Sequence, residues 1–315
     1  MFELARFNFL YLRLAQQIIR IATRSSPLAV WQAEHVKQLL ESQQAELACE
    51  LVPMTTTGDI AQNQPIRDQG GKGVFLKELE AALVEGQADI AVHSMKDVPI
   101  HLGREFAVQS IGTRGSVEDA LVCAHSLHDM PNEAKFGTSS TRRAALFRHL
   151  FNRSHTVAVR GNVQTRLRKL DDGTVDGLIL AAAGLERLEL ASRIQMRLPR
   201  DLFIPAVGQG VLAVEFMRER DPIVELLVGQ QVEWVERAVE AERLVAARIG
   251  ADCAAAFGAH CEYLNGAFVL NAIVLTASGE HAIAARTEGK DALEAAETIA
   301  ARLLRLGAKD LLGQA

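Results

Sequence analysis

An alternation of apolar runs with amphipathic helical segments constrains the fold of this chain more than any other feature. The run IIRIAT (18–23) is followed by a helix-like segment that begins at Pro27, and then by a second run, ELACELVPM. The helical segment VFLKELEAALVEG and the run ADIAVHS (88–94) continue the pattern. Strand–helix–strand alternation of this kind predicts a parallel sheet with helices packed on it.

The alternation recurs in a second stretch and then changes. EDALVC, HTVAVRG and VDGLILA alternate with helical segments, and VLAVEF (211–216) is one more strand. From about residue 232 a long helix, a hairpin signal at Asn265-Gly266, a strand and a closing helix follow. We therefore predict an α/β protein with two doubly wound domains and a small α+β C-terminal domain built on a three-stranded sheet with helices. The predicted segments are an N-terminal extension (1–17), domain 1 (18–112 plus 207–230), domain 2 (113–206) and domain 3 (231–315).

Composition argues against several classes of protein. With 34 Lys and Arg against 39 Asp and Glu, the net charge is −5, which argues against a general nucleic-acid binder. The four cysteines form no CxxC pair, so we expect a reducing compartment, the cytoplasm, and no disulfide framework. No apolar run approaches the roughly twenty residues that span a membrane. Residues 1–17 lack a signal-peptide cleavage pattern, and an organellar leader and an additional helix both stay open for them.

A basic window without acidic residues stands out in this acidic chain, since no Asp or Glu occurs between Ala134 and Leu170. Its basic residues are Lys135, Arg142, Arg143, Arg148, Arg153, Arg160, Arg166, Arg168 and Lys169. The loop GTSSTRR leads hydroxyl residues into a helix, where backbone N–H groups, the helix dipole and arginine donors favour an anion. A solvated basic helix face is the alternative, and it explains the loop-side residues Arg142, Arg160 and Arg166 less well.

The segment IAVHSMKDVP (90–99) places polar side chains at the end of a predicted strand. An apolar run precedes them, and Pro99 blocks a regular continuation. Ligands of open α/β sheets bind outside the carboxyl ends of the strands, so Lys96 and Asp97 are candidates for a site. A turn-forming aspartate beside an exposed lysine is the alternative. His93 fits an acid/base or a hydrogen-bonded histidine near the core equally well.

An ordered set of motifs resembles the porphobilinogen deaminase family, whose members are also called hydroxymethylbilane synthases. The likeness runs from about Ile18 to the C-terminus, in the order and approximate spacing of the family. The motifs are IATRSSPLAVWQ, GGKGVFLKELE, VHSMKDVP, GTSSTRR, RGNVQTRLRKLD, ILAAAGLERL and PAVGQG. Each motif is weak alone, but the ordered set is highly specific. The resemblance implies that domains 1 and 2 are similar to those of bilobal anion-binding proteins and that domain 3 carries a cysteine loop.

The resemblance also implies an activity. Members of the family join four porphobilinogen molecules head to tail, with release of ammonia, into linear hydroxymethylbilane, a step of tetrapyrrole (haem) biosynthesis. The growing chain is held on a dipyrromethane cofactor, which a thioether links to one cysteine. Cofactor and substrate rings together carry about a dozen carboxylates, a load that suits guanidinium donors. The resemblance thus implies a transferase that acts on a small molecule. We also expect a monomer, with no metal and no nucleic-acid or membrane partner.

The site residues that the resemblance implies follow from the matching motifs. Asp97 is the catalytic carboxylate, which accepts the pyrrole N–H of the cation left when ammonia departs. Cys253 anchors the cofactor. The other implied cofactor ligands are Arg24, Ser26, Ser94, Lys96, Thr138, Ser139, Ser140, Arg142, Arg143, Arg160, Asn162, Arg166 and Gln209. The implied substrate ligands are Arg24, Lys72, Phe75, Arg160 and Arg166.

Two positions depart from the pattern of the family. The family usually has a glycine pair before the cofactor cysteine and often a proline after it, whereas Ala251-Asp252 precede Cys253 here. The spacing from Gly258 still fits Cys253 rather than Cys261, and a small buried cysteine is the alternative. Some relatives carry a lysine at the position of Asp68, so we expect one anion contact to be missing there.

Two rival functions stay open from the sequence. The first is a bilobal binding protein that captures an organic anion without any chemistry, which does not explain a carboxylate at Asp97 in an anion site. The second is a relative that folds but cannot load the cofactor, because of the unusual residues around Cys253.

Overall fold

The computed structural model describes residues 18–43, 46–56, 76–125, 127, 129–151, 155–219, 221–252 and 254–313. The chain divides into two compact units. The first unit contains the described residues up to Ser94, together with His101–Thr113 and Leu212–Val232. The second unit contains Met95–Ile100, Arg114–Val211 and the described residues from Glu233 onward.

The first unit is built on a five-stranded sheet in the order β2-β1-β3-β10-β4. The strands are β1 (Ile18–Arg24), β2 (Ala48–Met54), β3 (Ile90–Ser94), β4 (Phe106–Ile111) and β10 (Leu212–Met217). Strand β1 is parallel to both β2 and β3. Strand β10 is antiparallel to β3 and to β4. It begins at Leu212, where the chain returns from the second unit to the first.

Helices cover both faces of this sheet. On one face, α1 (Pro27–Gln43) and α6 (Asp221–Val228) pack with Ile19 and Ile21 of β1. On the other face, α2 (Lys77–Val84) packs against Ala22. Successive side chains of a strand point to opposite faces, so the apolar run of β1 serves two separate hydrophobic clusters.

The second unit contains a second five-stranded sheet, in the order β7-β6-β8-β5-β9. Its strands are β5 (Asp119–Cys123), β6 (Phe136–Gly137), β7 (Thr156–Val157), β8 (Gly177–Ala181) and β9 (Met196–Arg197). Strand β6 is parallel to β7 and β8, whereas β5 is antiparallel to β8 and β9. Its helices are α3 (Thr141–Phe151), α4 (Val163–Asp171) and α5 (Ala182–Arg187).

The second unit also contains an antiparallel three-stranded sheet. Its elements are α7 (Glu233–Ile249), β11 (Phe257–Leu264), β12 (Ala267–Leu275), β13 (Ala282–Gly289), α8 (Ala292–Arg305) and α9 (Ala308–Gly313). The hairpin between β11 and β12 turns at Asn265 and Gly266, both of which have positive φ, as an Asn-Gly two-residue turn requires. Along α7, Ala238, Ala241 and Val245 recur at helical spacing and pack into the core of this sheet.

The predicted fold class is confirmed, with two corrections to its details. Both five-stranded sheets are mixed, so the prediction of a parallel sheet is wrong for β10 and for β5. The strand predicted over HTVAVRG pairs only at Thr156–Val157, and β4, β6, β9, α6 and α9 were not predicted; β6 lies at Phe136–Gly137, where a loop was expected. The strands of each sheet come from within one predicted domain, and the three-domain division itself stays a prediction. In the described part of the chain, no helix is long and apolar enough to cross a membrane.

Candidate active site

A short 3₁₀ turn, Met95–Asp97, carries the predicted catalytic carboxylate at the start of the second unit. The Met95 amide donates to Val211 O at 3.0 Å, and the Val98 amide donates back to Met95 O at 3.1 Å. Met95 is buried, whereas Asp97 is exposed. The backbone of the turn is therefore fixed while its carboxylate stays accessible.

The return segment PAVGQG packs directly against this turn. Gly208 has a φ of +69°, and a Cβ at this position would lie 2.4 Å from Met95 Cγ. A side chain here would therefore both strain the backbone and displace Met95. Gly208 lets the segment approach the turn closely enough for the next residue, Gln209, to reach Lys96.

Two arginines pair with one buried carboxylate in the second unit, and Lys96 lies within its electrostatic reach. We call Lys96, Arg142, Arg143 and Asp119 the cationic cluster. Arg142 Nη2 lies 2.7 Å from Asp119 Oδ2, and Arg143 Nη2 lies 2.8 Å from Asp119 Oδ1. Arg142 Nη1 also donates to Ile204 O at 2.8 Å. Both guanidinium groups are thus held by several acceptors in defined orientations.

Gln209 connects the members of the cationic cluster. Its side-chain Nε2 donates to Asp119 Oδ1 at 3.0 Å and to Val117 O at 2.7 Å. Its Oε1 accepts from Arg143 Nη2 at 3.3 Å and from Lys96 Nζ at 3.5 Å. One buried amide thereby links the turn of Asp97 to β5 and α3.

The cationic cluster carries more positive than negative charge. Burial, and after it the charge of Arg143, lower the pKa of Lys96 to about 8, although Asp97 and Asp119 oppose the shift. Burial disfavours the charged form of Asp119, but Arg142 and Arg143 outweigh it and hold the pKa of that carboxyl below its ordinary value. Two guanidinium groups and one ammonium therefore outnumber the two carboxylates of Asp119 and Asp97, an imbalance that favours a bound anion.

The hydroxyl residues of the loop before α3 make hydrogen bonds within the loop and to its neighbours. Ser139 Oγ donates to Val159 O at 2.7 Å, and Thr138 Oγ1 accepts from the Ser140 amide at 3.2 Å. Ser140 Oγ accepts from the Arg143 amide at 3.4 Å, as an N-cap does. These contacts hold the first turn of α3, and with it both arginines of the cationic cluster.

The RGNVQTR motif forms the start of α4. Asn162 is its N-cap, and its side chain accepts from the Thr165 amide at 2.9 Å. Arg166 Nε donates to Gly161 O at 2.8 Å, and both Arg160 and Arg166 are partly buried. Neither arginine is a fully solvated surface residue.

The first unit holds three of the predicted site residues at the ends of its strands. Arg24 is the last residue of β1, and Ser94, the last residue of β3, accepts from Gln32 Nε2 at 2.8 Å. Ser26 Oγ accepts from the Ala29 amide at 3.4 Å in the first turn of α1. Lys72, Phe75, Cys253 and the departure at Asp68 lie outside the described residues.

Sequence reasoning missed two buried carboxylates of the second unit. Asp119 lies in the fully buried strand β5, where an acidic residue inside an apolar run was the available signal. Glu242 on α7 accepts from Arg114 Nη1, the Cys261 amide and the Gly208 amide, each at 2.7 Å. Its position on the buried face of a predicted helix was the corresponding signal.

In the first unit, His93 Nε2 lies 2.9 Å from Glu215 Oε2, and both side chains are buried. This geometry fits a hydrogen-bonded core histidine, the second of the two alternatives that the sequence left open for His93.

The structure is an α/β protein in which a buried cationic cluster lies beside an accessible carboxylate. Residues 19–225 match the family model described as porphobilinogen deaminase, dipyromethane cofactor binding domain. The porphobilinogen deaminase of Laribacter hongkongensis (strain HLHK9) is 42% identical over 298 residues, which cover 93% of this chain and 96% of that protein. The chain belongs to the porphobilinogen deaminase family.

Two solved structures show a weaker similarity. The periplasmic VFT2 domain of Bordetella pertussis BvgS has a TM-score of 0.43 and 15% identity, covering 71% of this chain and 89% of that chain. The probable amino-acid ABC transporter extracellular-binding protein ytmK of Bacillus subtilis has a TM-score of 0.42 and 12% identity, covering 68% and 91%.

Proposed function

We propose that this chain is a transferase that deaminates four porphobilinogen molecules and condenses them head to tail into linear hydroxymethylbilane, in haem biosynthesis. The observation that carries the proposal is the positive excess of the cationic cluster next to the exposed carboxylate of Asp97. A polycarboxylate ligand would neutralise that excess. Cytoplasmic location and a monomeric state remain predictions from the sequence.

The residues of the second unit fit a dipyrromethane cofactor. Arg142 Nε is buried and, among the described residues, has no hydrogen-bond partner, so a donor remains there for a further acceptor. When bound, the cofactor supplies the pyrrole ring from which the product chain is extended. We propose that Cys253 forms the thioether and that the carboxylates of the cofactor are held mainly by Lys96, the hydroxyl loop, the two arginines and Gln209.

Asp97 is proposed to stabilise positive charge on the substrate. As ammonia leaves, charge develops on the pyrrole nitrogen, and a carboxylate that accepts the pyrrole N–H lowers the energy of that state. A carboxylate in this position can also take up a proton from the ring carbon at which the new bond forms. The hydrogen bonds of the 3₁₀ turn fix its backbone beforehand, which limits reorganisation during the reaction.

Arg142 and Arg143 are proposed to act as fixed positive charges. Asp119, Ile204 O and Gln209 hold their guanidinium groups. The two arginines would therefore supply a positive electrostatic field and oriented donors without moving during the reaction. Arg24, Ser26 and Ser94 in the first unit, and Arg160, Asn162 and Arg166 in the second, are proposed to bind further carboxylates of cofactor or substrate. Lys72 and Phe75 are proposed as substrate ligands on the sequence alone.

Turnover of porphobilinogen by the purified chain tests the proposed function. We expect ammonia release with formation of hydroxymethylbilane, and we expect Asp97→Asn to lose most of both while it keeps the wild-type melting temperature. Asp201→Asn, an exposed aspartate of the same unit, is the matched control and should behave as wild type. Binding of porphobilinogen without ammonia release by the wild-type chain would instead support the binding protein without chemistry.

A further inference from the structure

Arg243 on α7 binds the backbone that directly follows Asp97. Its Nη2 donates to Pro99 O at 2.7 Å and to Ile100 O at 3.2 Å, and its Nη1 donates to Val98 O at 3.3 Å. One guanidinium group therefore holds three consecutive carbonyl groups. Only arginine carries enough donors in a rigid plane to do this.

The surroundings of Arg243 favour a role in holding this backbone. Burial lowers the pKa of its guanidinium, and Glu236 opposes that shift. Among the described residues Arg243 forms no ion pair with a carboxylate, so the carbonyl groups are the acceptors that compensate its desolvation. Ile100 at the end of the held segment packs against the hydrophobic core of the three-stranded sheet.

The preceding residue of α7 holds the other side of the turn. Glu242 accepts from the amide of Gly208, the position at which an added Cβ would collide with Met95. Arg243 and Glu242, consecutive residues of α7, thus hold two segments: the residues that follow Asp97 and the segment around Gly208 that packs against Met95. In sequence, the same helix runs on toward Cys253.

We propose that Arg243 is a positioning residue that holds the turn of Asp97 in the conformation required for catalysis. The inference rests on the function proposed above. Loss of the three hydrogen bonds would let Lys96 and Asp97 move relative to Arg142, Arg143 and Asp119, and displacement by about 1 Å of a catalytic group costs up to about a hundredfold in rate.

The test compares Arg243→Met, Arg243→Lys and the control Arg237→Met in cofactor-loaded protein. Arg237 lies on the same helix, is exposed and pairs only with Glu233 among the described residues. Intact mass gives the loaded fraction of each variant, and kcat and KM are expressed per loaded enzyme. Hydrogen exchange of the peptide that spans residues 95–100 reports on the turn independently of activity.

We expect Arg243→Met to lower kcat about tenfold to a hundredfold with a smaller change in KM, and to speed exchange at the Val98 amide. Arg243→Lys should fall between Met and wild type, and Arg237→Met should match wild type. Wild-type kcat and exchange in Arg243→Met would overturn the inference. If Arg243→Met does not fold or load, wild-type kcat and exchange in Arg243→Lys would overturn it in the same way. An inactive wild-type chain would instead contradict the proposed function, whereas normal turnover with unaffected variants contradicts only this role of Arg243.

Discussion

Raising the pH from 7 to 9 should slow the loading of the dipyrromethane cofactor onto the unloaded chain about tenfold, because Lys96 loses its proton in this range. Burial and the neighbouring Arg143 lower the pKa of Lys96 to about 8. The ammonium is then about nine-tenths protonated at pH 7 and about one-tenth protonated at pH 9. Only the protonated form can pair with a carboxylate of the cofactor, so the initial rate of loading should follow this fraction.

The initial rate at which the unloaded chain, supplied with porphobilinogen, gains the mass of two pyrrole units checks the prediction when it is measured across this pH range. Lys96→Arg keeps its charge throughout, so its profile should lack the decline above pH 8. Lys290→Arg replaces an exposed lysine and should keep the wild-type profile. A flat profile for the wild-type chain, or the same decline in Lys96→Arg, would refute the assignment of Lys96.

Three further changes test the packing and the basic residues. Gly208→Ala should destabilise the protein by about 2 kcal/mol or more, since its Cβ would overlap Met95, and a urea midpoint equal to that of wild type would contradict this. Glu242→Gln should cost about 3 kcal/mol because it leaves the buried Arg114 without its carboxylate; the exposed Glu233→Gln is the control, and equal losses in both would contradict this reason. Arg166→Leu should block cofactor assembly or stall elongation, seen as unmodified mass or as protein that retains partial product chains. Normal product formation by this variant would show that Arg166 has a structural role and does not bind cofactor or substrate.

The sequence predicted the elements that have a strong local pattern. Strand β1, helix α1 and the hairpin at Asn265-Gly266 appear where hydrophobic spacing and turn residues placed them. Strand β4 was not predicted, and its direction and partner depend on β10, which arrives from a distant part of the chain. Strand direction within the sheets was therefore the part of the fold that local patterns could not define.

The candidate site, like the fold, could be predicted only where its residues form one continuous motif. The turn of Lys96 and Asp97 and the start of α3 could be predicted because each is one continuous motif. The carboxylate that orients Arg142 and Arg143 could not, since Asp119 lies on a different strand and only the fold brings it to α3. The contacts of Arg243 are hydrogen bonds to backbone carbonyl groups, which carry no signal in the sequence of the segment they hold.

The intact mass of the denatured, purified chain is the decisive test of a dipyrromethane cofactor that is covalently bound through Cys253. We expect a mass that exceeds that of the sequence by two pyrrole units. The increment should be lost in Cys253→Ser but not in Cys261→Ser, because burial raises the pKa of the Cys261 thiol to about 12 and leaves it unreactive. An unmodified mass in a preparation that forms hydroxymethylbilane would show that no covalently bound cofactor is needed and would refute the proposed role of Cys253.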